Sequence, residues 1–137
     1  MGLVVLAEEY DTINLRVPAS AAYTQMVRLA AFTVASRMDF DINKIEDLRV
    51  AVDEASNYAI LNSSADDQIN IAIHAKSDCL EILITFTKAT ESVAINTELG
   101  VFSRMILEAL LDEFDLLKEG DFFKILLRKN CEKVVAD

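Results

Sequence analysis

Short stretches in which large apolar residues recur at every second position limit the chain to folds built around a half-buried sheet. The alternation runs through residues 12–17, 69–74 and 79–87. A period of two residues is the pattern of a β-strand with one buried face. Because only the polar connection Lys76-Ser77-Asp78 separates the second and third stretches, they are predicted to form a β-hairpin. Two further strands are predicted at residues 115–118 and 122–128, joined by a turn at Gly120.

Three longer stretches carry apolar residues at intervals of three and four, the spacing of an amphipathic α-helix. They span residues 20–38, 44–61 and 99–114. The spacing predicts that the first helix has its apolar face at Tyr23, Met26, Val27, Ala30, Ala31, Val34, Ala35 and Met38, and the third helix at Val101, Phe102, Met105, Ile106, Ala109 and Leu110.

The order of the elements is strand, helix, helix, strand, strand, helix, strand, strand. Hairpins alternating with helices in this way predict an α+β fold, a two-layer α/β sandwich with a mainly antiparallel sheet and three helices on one face. Residues 1–137 are predicted to form a single domain, since no repeat or linker divides them.

Composition narrows the function. Hydrophobic residues make up 53% of the chain and charged residues 26%, which excludes intrinsic disorder. The net charge of −10 disfavours nucleic-acid binding, because phosphate contacts need clustered Lys and Arg. A basic protein surface suits such a charge better, although solubility alone also explains it.

The beginning of the sequence and its cysteines indicate a cytoplasmic protein. The apolar run Met1–Ala7 is too short for a membrane span and lacks a basic region before it, so neither a signal peptide nor a membrane anchor is predicted. Cys79 and Cys131 form no Cys-x-x-Cys pair and are expected to be free thiols.

Few residues offer chemistry by themselves. The only histidine, His74, is predicted on the sheet surface, and no nucleophile motif or zinc spacing accompanies it. The second helix carries Asp47, Asp53, Glu54 and Asn57. These residues are either ligands or bases of a site or simply a solvated helix face, and their pattern alone leaves both open.

Local sequence at the first strand and the first two helices resembles the anti-sigma regulatory factors, which are serine/threonine kinases of the histidine-kinase-like (GHKL) ATPase superfamily. The resemblance extends over nearly the whole chain and is most specific from Pro18 to Ala55. It rests on Leu15-Arg16-Val17-Pro18-Ala19, Val27-Arg28-Leu29, Ala35-Ser36-Arg37-Met38-Asp39-Phe40 and Ile45-Glu46-Asp47-Leu48-Arg49-Val50-Ala51-Val52-Asp53-Glu54-Ala55.

The resemblance assigns Glu54 as the general base of a kinase, either active or vestigial. Four residues later the family has an Asn that holds Mg²⁺, and here that position is Tyr58, whose phenol is a poor ligand for this ion. Asn57 is adjacent, but a shift of one residue rotates its side chain about 100° around the helix.

The glycine motifs of the family are largely missing. The position of the adenine-binding Asp is Phe86, and Lys88 and Thr90 replace two glycines. In the later Gly-x-Gly motif only Gly100 remains, because Glu98 replaces the first glycine. The sequence therefore predicts that ATP binding is lost, that no cofactor or metal is needed, and that aromatic side chains fill the former site.

Three functions stay open. The first is a regulatory protein that binds a sigma factor, an anti-anti-sigma protein or both, as a homodimer and without catalysis. The second is an active kinase that uses Mg-ATP, with Asn57 as metal ligand and Glu54 as base, to phosphorylate an anti-anti-sigma partner. The third is a structural dimerisation domain.

Overall fold

The computed structural model describes residues 10–64, 66–87 and 97–131, without the side chains of residues 97–99. Its elements are β1 (Asp11–Pro18), a 3-10 turn (Ala21–Tyr23), α1 (Thr24–Ser36), α2 (Ile42–Asn62), β2 (Gln68–Ala75), β3 (Cys79–Thr87), α3 (Thr97–Leu110), β4 (Glu113–Glu119) and β5 (Phe122–Asn130). The opening run Met1–Ala7, on which the absence of a signal peptide was predicted, lies outside these ranges.

The five strands form one sheet in the order β1-β2-β3-β5-β4, and every neighbouring pair is antiparallel. The predicted α+β class and the β2–β3 hairpin are confirmed. The last strand, β5, lies between β3 and β4, a long-range pairing that local patterns do not reveal. Gly120 has a φ of 61° in the β4–β5 turn, a conformation that glycine adopts without strain.

Helix α2 lies between α1 and α3 and also contacts β3 and β5. Its start is fixed by Asp41, whose side chain accepts a hydrogen bond from the Lys44 amide at 2.8 Å. Its inner side is lined by small residues, and Ala51, Ala55 and Ala59 are fully buried. The core therefore lies between this helix and the inner face of the sheet.

The inward side of α1 agrees with the prediction in part. Val27, Ala31, Val34 and Ala35 are buried as predicted, together with Thr24. Tyr23 and Met26 are exposed, as are Leu29 and Phe32. Apolar residues occur all around this helix, so their spacing did not determine which side packs against the core.

Helix α3 is shorter than predicted and turned differently. It ends at Leu110, and Phe114 belongs to β4, because the chain from Asp112 onward pairs with β5. The side chains of Val101, Phe102 and Met105 are 56%, 64% and 60% exposed. The buried residues are Ser103, Leu107 and Leu111, which follow a regular four-residue spacing.

Two smaller expectations can be compared with the structure. Cys79 is buried, Cys131 is half-buried, and they form no disulfide. No helix in the described ranges combines the length and apolar character that crossing a bilayer requires.

Lys129 joins three elements near the end of the sheet. From β5, its ammonium donates a hydrogen bond to the Leu110 carbonyl at the end of α3, at 2.6 Å. It also lies 3.4 Å from the Asp47 carboxylate on α2. Its side chain is only 11% exposed, so these contacts are largely shielded from solvent.

We expect Lys129→Ala to lower the free energy of unfolding by about 1–2 kcal/mol, because a helix-end carbonyl and a carboxylate both lose their partner. Urea unfolding measures the change. Arg37→Ala, which removes the same charge from an exposed position, is the matched control and should change the stability by less than about 0.5 kcal/mol. Equal effects of the two variants would contradict the anchoring role.

Candidate functional site

Glu54, the predicted base, lies on the side of α2 that faces α3. Its Oε1 accepts a hydrogen bond from the Ser103 hydroxyl at 2.6 Å. Ser103 is 4% exposed, so the serine end of this bond is buried. The carboxylate thus joins α2 to α3, whatever chemistry it performs.

Asn57 lies on the same side of α2 as Glu54. Both residues line a cavity of about 320 Å³, here called the Glu54 cavity. Its other lining residues are Ala21, Tyr58, Ile60, Leu61 and Ser103. Asn57 itself is exposed. Asn57, one residue before Tyr58, therefore places its side-chain amide at the surface near Glu54.

Tyr58 and Phe86 are both buried, at 9% and 2% exposure. Their rings meet edge to face with centroids 6.4 Å apart. Phe86 also stacks on Phe123 of β5 at 5.6 Å. Aromatic rings thus fill the space between α2 and the end of β3, where the resemblance assigns an Asn and an Asp. These side chains provide no carboxylate or amide oxygen for a metal or an adenine.

A second cavity, of about 310 Å³, lies between α2, α3 and strands β4 and β5 and is here called the apolar cavity. Its lining residues are Tyr58, Gly100, Val101, Ser103, Arg104, Leu107, Phe114, Leu116 and Ile125. Tyr58 and Ser103 line both cavities and therefore stand between them. Aromatic filling is thus incomplete, because this space beside Tyr58 stays open.

The predicted site residues are consequently divided between the two cavities. Glu54 and Asn57 line one cavity, and Gly100 lines the other. Lys88 and Thr90 lie outside the described residues, as does the side chain of Glu98. Sequence reasoning missed Ser103 and Arg104, because only apolar residues of α3 were considered. The four-residue spacing of Ser103, Leu107 and Leu111 was the available signal.

Asp53 and His74, two further candidates, contact residues that line neither cavity. Asp53 accepts a hydrogen bond from Arg28 of α1 at 2.9 Å and lies 3.8 Å from Arg49. His74 is half-buried in β2, where its Nδ1 lies 3.1 Å from the Thr12 hydroxyl. Among the described residues, no group of three or more His, Cys, Asp or Glu side chains is arranged to hold a metal ion.

Burial raises the pKa of the Tyr58 phenol, and the positive charge of Arg104 partly opposes this rise. The phenol is therefore neutral at physiological pH. A folded-state pKa above the unfolded value means that the neutral form favours folding. This contribution is complete below the ordinary tyrosine pKa of 10.0 and is lost as the pH rises through the folded-state pKa.

We therefore expect the free energy of unfolding to decrease more steeply above about pH 10 in the wild type than in Tyr58→Phe. Denaturant unfolding at several pH values measures the difference between the two curves. Tyr23→Phe, at an exposed tyrosine, is the control and should follow the wild type. Parallel curves for wild type and Tyr58→Phe would show that Tyr58 is not responsible.

For the Glu54–Ser103 contact, we expect Glu54→Ala to reduce the free energy of unfolding by about 1 kcal/mol. Glu54→Gln should cost less, because its amide oxygen still accepts the serine proton. Urea unfolding of these variants, of Ser103→Ala and of the double alanine variant gives the coupling energy. If the two alanine substitutions were additive, the bond would contribute nothing to stability.

Curated proteins with a similar sequence are serine-protein kinases RsbW. The chain is 41% identical to that of Oceanobacillus iheyensis over 78 residues, which are 55% of this chain and 49% of that protein. It is 32% identical to one from Bacillus cereus over 81 residues, which are 58% of this chain and 51% of that protein. The chain thus spans about half the length of the curated relatives it matches. No protein-family model matches it.

A solved structure has the same fold. It is a crystal structure of the RsbU and RsbW domains of a Mycobacterium tuberculosis protein, with a TM-score of 0.64 at 14% identity. The match covers 87% of this chain and 32% of the chain in that structure. The predicted histidine-kinase-like fold agrees with this neighbour, and the resemblance to the anti-sigma regulatory factors and kinases is confirmed. Over the matched residues, this chain is similar to the serine-protein kinases RsbW.

Proposed function

We propose that this chain is a cytoplasmic, anti-sigma-like regulatory protein that acts by binding a protein partner and does not bind ATP. The partner is a sigma factor, an anti-anti-sigma protein or both, and the resemblance implies that the chain acts as a homodimer. The regulatory role follows from the resemblance. The loss of ATP binding follows from the side chains at the candidate site, which do not suit the nucleotide.

The observation that carries the proposal is the burial of Tyr58 against Phe86. Mg²⁺ needs compact oxygen ligands in nearly octahedral geometry, and a phenol packed edge to face on another ring does not provide one. An adenine needs a hydrogen-bond acceptor for its amino group, and the Phe86 side chain has none. These residues therefore do not fit Mg-ATP.

Partner binding needs a surface, and α1 offers one. Tyr23 of the preceding 3-10 turn and Met26, Leu29 and Phe32 of the helix, here together called the α1 outer face, are 40%, 51%, 52% and 46% exposed. Contiguous exposed apolar side chains are typical of protein-binding surfaces. Arg28, also on α1, is held by Asp53 in an ion pair. The apolar residues therefore support partner binding better than the arginine does.

Charge favours a basic partner. The net charge of −10 speeds encounters with positively charged surfaces and repels acidic ones. Such attraction weakens as salt increases, because the Debye length shortens. Apolar contacts on α1 would thus stabilise the complex once it has formed. Long-range attraction by the whole chain would increase the rate at which it forms.

We expect the full chain to bind Mg-ATP with a Kd above about 1 mM, which is too weak for a working nucleotide site. Isothermal titration calorimetry with Mg-ATP measures this directly. Micromolar binding would contradict the proposal and favour the kinase alternative, with Glu54 as base and Asn57 as metal ligand. Transfer of phosphate to an anti-anti-sigma protein would then be the next measurement.

For the surface, we expect Met26→Asp and Leu29→Asp each to weaken binding to the cognate sigma factor at least tenfold, by burying a charge in an apolar contact. Ile42→Asp, at a 68% exposed apolar residue on α2, is the matched control and should bind like the wild type. Surface plasmon resonance with sigma factors and anti-anti-sigma proteins from the same cell measures the affinities. Failure of the wild type to bind any of them would overturn the proposal.

A further inference from the structure

The apolar cavity has the properties of a small-molecule site, and partner binding through α1 does not use it. Its volume of about 310 Å³ lies at the lower end of the range for ligand pockets, which is roughly 300–1,000 Å³. Most of its described lining residues are apolar, including Leu107, Phe114, Leu116 and Ile125. It therefore suits a fragment-sized ligand with an apolar body.

The apolar cavity has a positively charged residue at its edge. Among the described lining residues Arg104 alone is charged. Its guanidinium lies over the ring of Phe114, 5.3 Å from the centroid, and so close to the cavity wall. It forms an ion pair with Glu108 at 3.7 Å, a separation that is too long for a hydrogen bond. Arg104 thus keeps donors with which it can bind a carboxylate.

The other polar groups of the cavity do not add a negative charge. The Ser103 hydroxyl is donated to Glu54. The Tyr58 phenol is neutral at physiological pH because burial raises its pKa. Glu54 itself lines the other cavity, on the far side of Ser103 and Tyr58. A ligand in the apolar cavity would therefore meet a positive group at its edge and neutral groups elsewhere.

We propose that the apolar cavity binds a small apolar carboxylate, with its hydrocarbon part between α3 and strands β4 and β5 and its carboxylate on Arg104. A triphosphate nucleotide differs from such a ligand in both charge and polarity. Binding of this ligand does not require a sigma factor, so its test is independent of the proposed function.

The test uses decanoate as the probe and the full chain in solution. We expect saturable binding by isothermal titration calorimetry with a Kd on the order of 100 µM, in line with the free energy that fragment-sized ligands gain per non-hydrogen atom. Nuclear magnetic resonance should show the largest shifts at the amides of Gly100 and Val101. The neutral analogue 1-decanol should bind about five- to tenfold more weakly, since it lacks the charge that pairs with Arg104.

Two variants test separately the charge of Arg104 and the space inside the apolar cavity. Arg104→Gln should weaken decanoate binding about five- to tenfold and leave 1-decanol binding unchanged. Val101→Trp, at an exposed lining residue, should block both ligands by occupying the cavity. Met105→Trp is the matched control, because Met105 is equally exposed on α3 but does not line the cavity.

Several outcomes would overturn the proposal. They are the absence of saturable decanoate binding, equal affinities for decanoate and 1-decanol, or shifts that cluster away from α3. Displacement of decanoate by Mg-ATP would show that the cavity remains a nucleotide site. Unchanged binding by Val101→Trp would place the ligand elsewhere on the protein.

Discussion

The close approach of α2 to its neighbours is the constraint on which the rest of the structure depends. Three alanines with no exposed surface let the helix lie against the sheet while α1 and α3 pack on either side. A larger residue at any of them would separate these layers. Because the inner side of α2 is fixed by this packing, the positions of Glu54 and Tyr58 follow from the core rather than from the site itself. The candidate site is thus built on a rigid element.

Much of the fold could be predicted because one face of the sheet is buried. Alternation located β3 to its observed bounds, Cys79–Thr87, and identified the hairpin with β2. The position of β5 between β3 and β4 could not be predicted, since it results from a pairing of strands far apart in sequence. The orientation of α3 was predicted wrongly, and that of α1 was predicted only in part, since Tyr23 and Met26 are exposed. Both helices have apolar residues on several sides, and packing against α2 rather than hydrophobicity chose the inward one.

The candidate site was predictable only in part, because its residues can be located along the chain but its cavities cannot. Glu54, Tyr58 and Phe86 were identified by comparison with family motifs, which mark positions along the chain. The cavities depend on which residues of α3 face α2, and that was predicted wrongly for Val101. Ser103 and Arg104 were therefore overlooked, although one binds Glu54 and the other lies at the apolar cavity. Family motifs mark residues along the chain, whereas the cavities beside those residues depend on tertiary packing.

The order of the strands has a consequence for assembly. In the described sheet β1 and β4 are the outermost strands, and both carry exposed charged residues, among them Asp11, Arg16, Glu113 and Lys118. Charges on edge strands disfavour the addition of a further strand from another molecule. A second copy or a partner would then have to approach through a helix or a sheet face. Contacts of that kind between two copies close on themselves when they are symmetric.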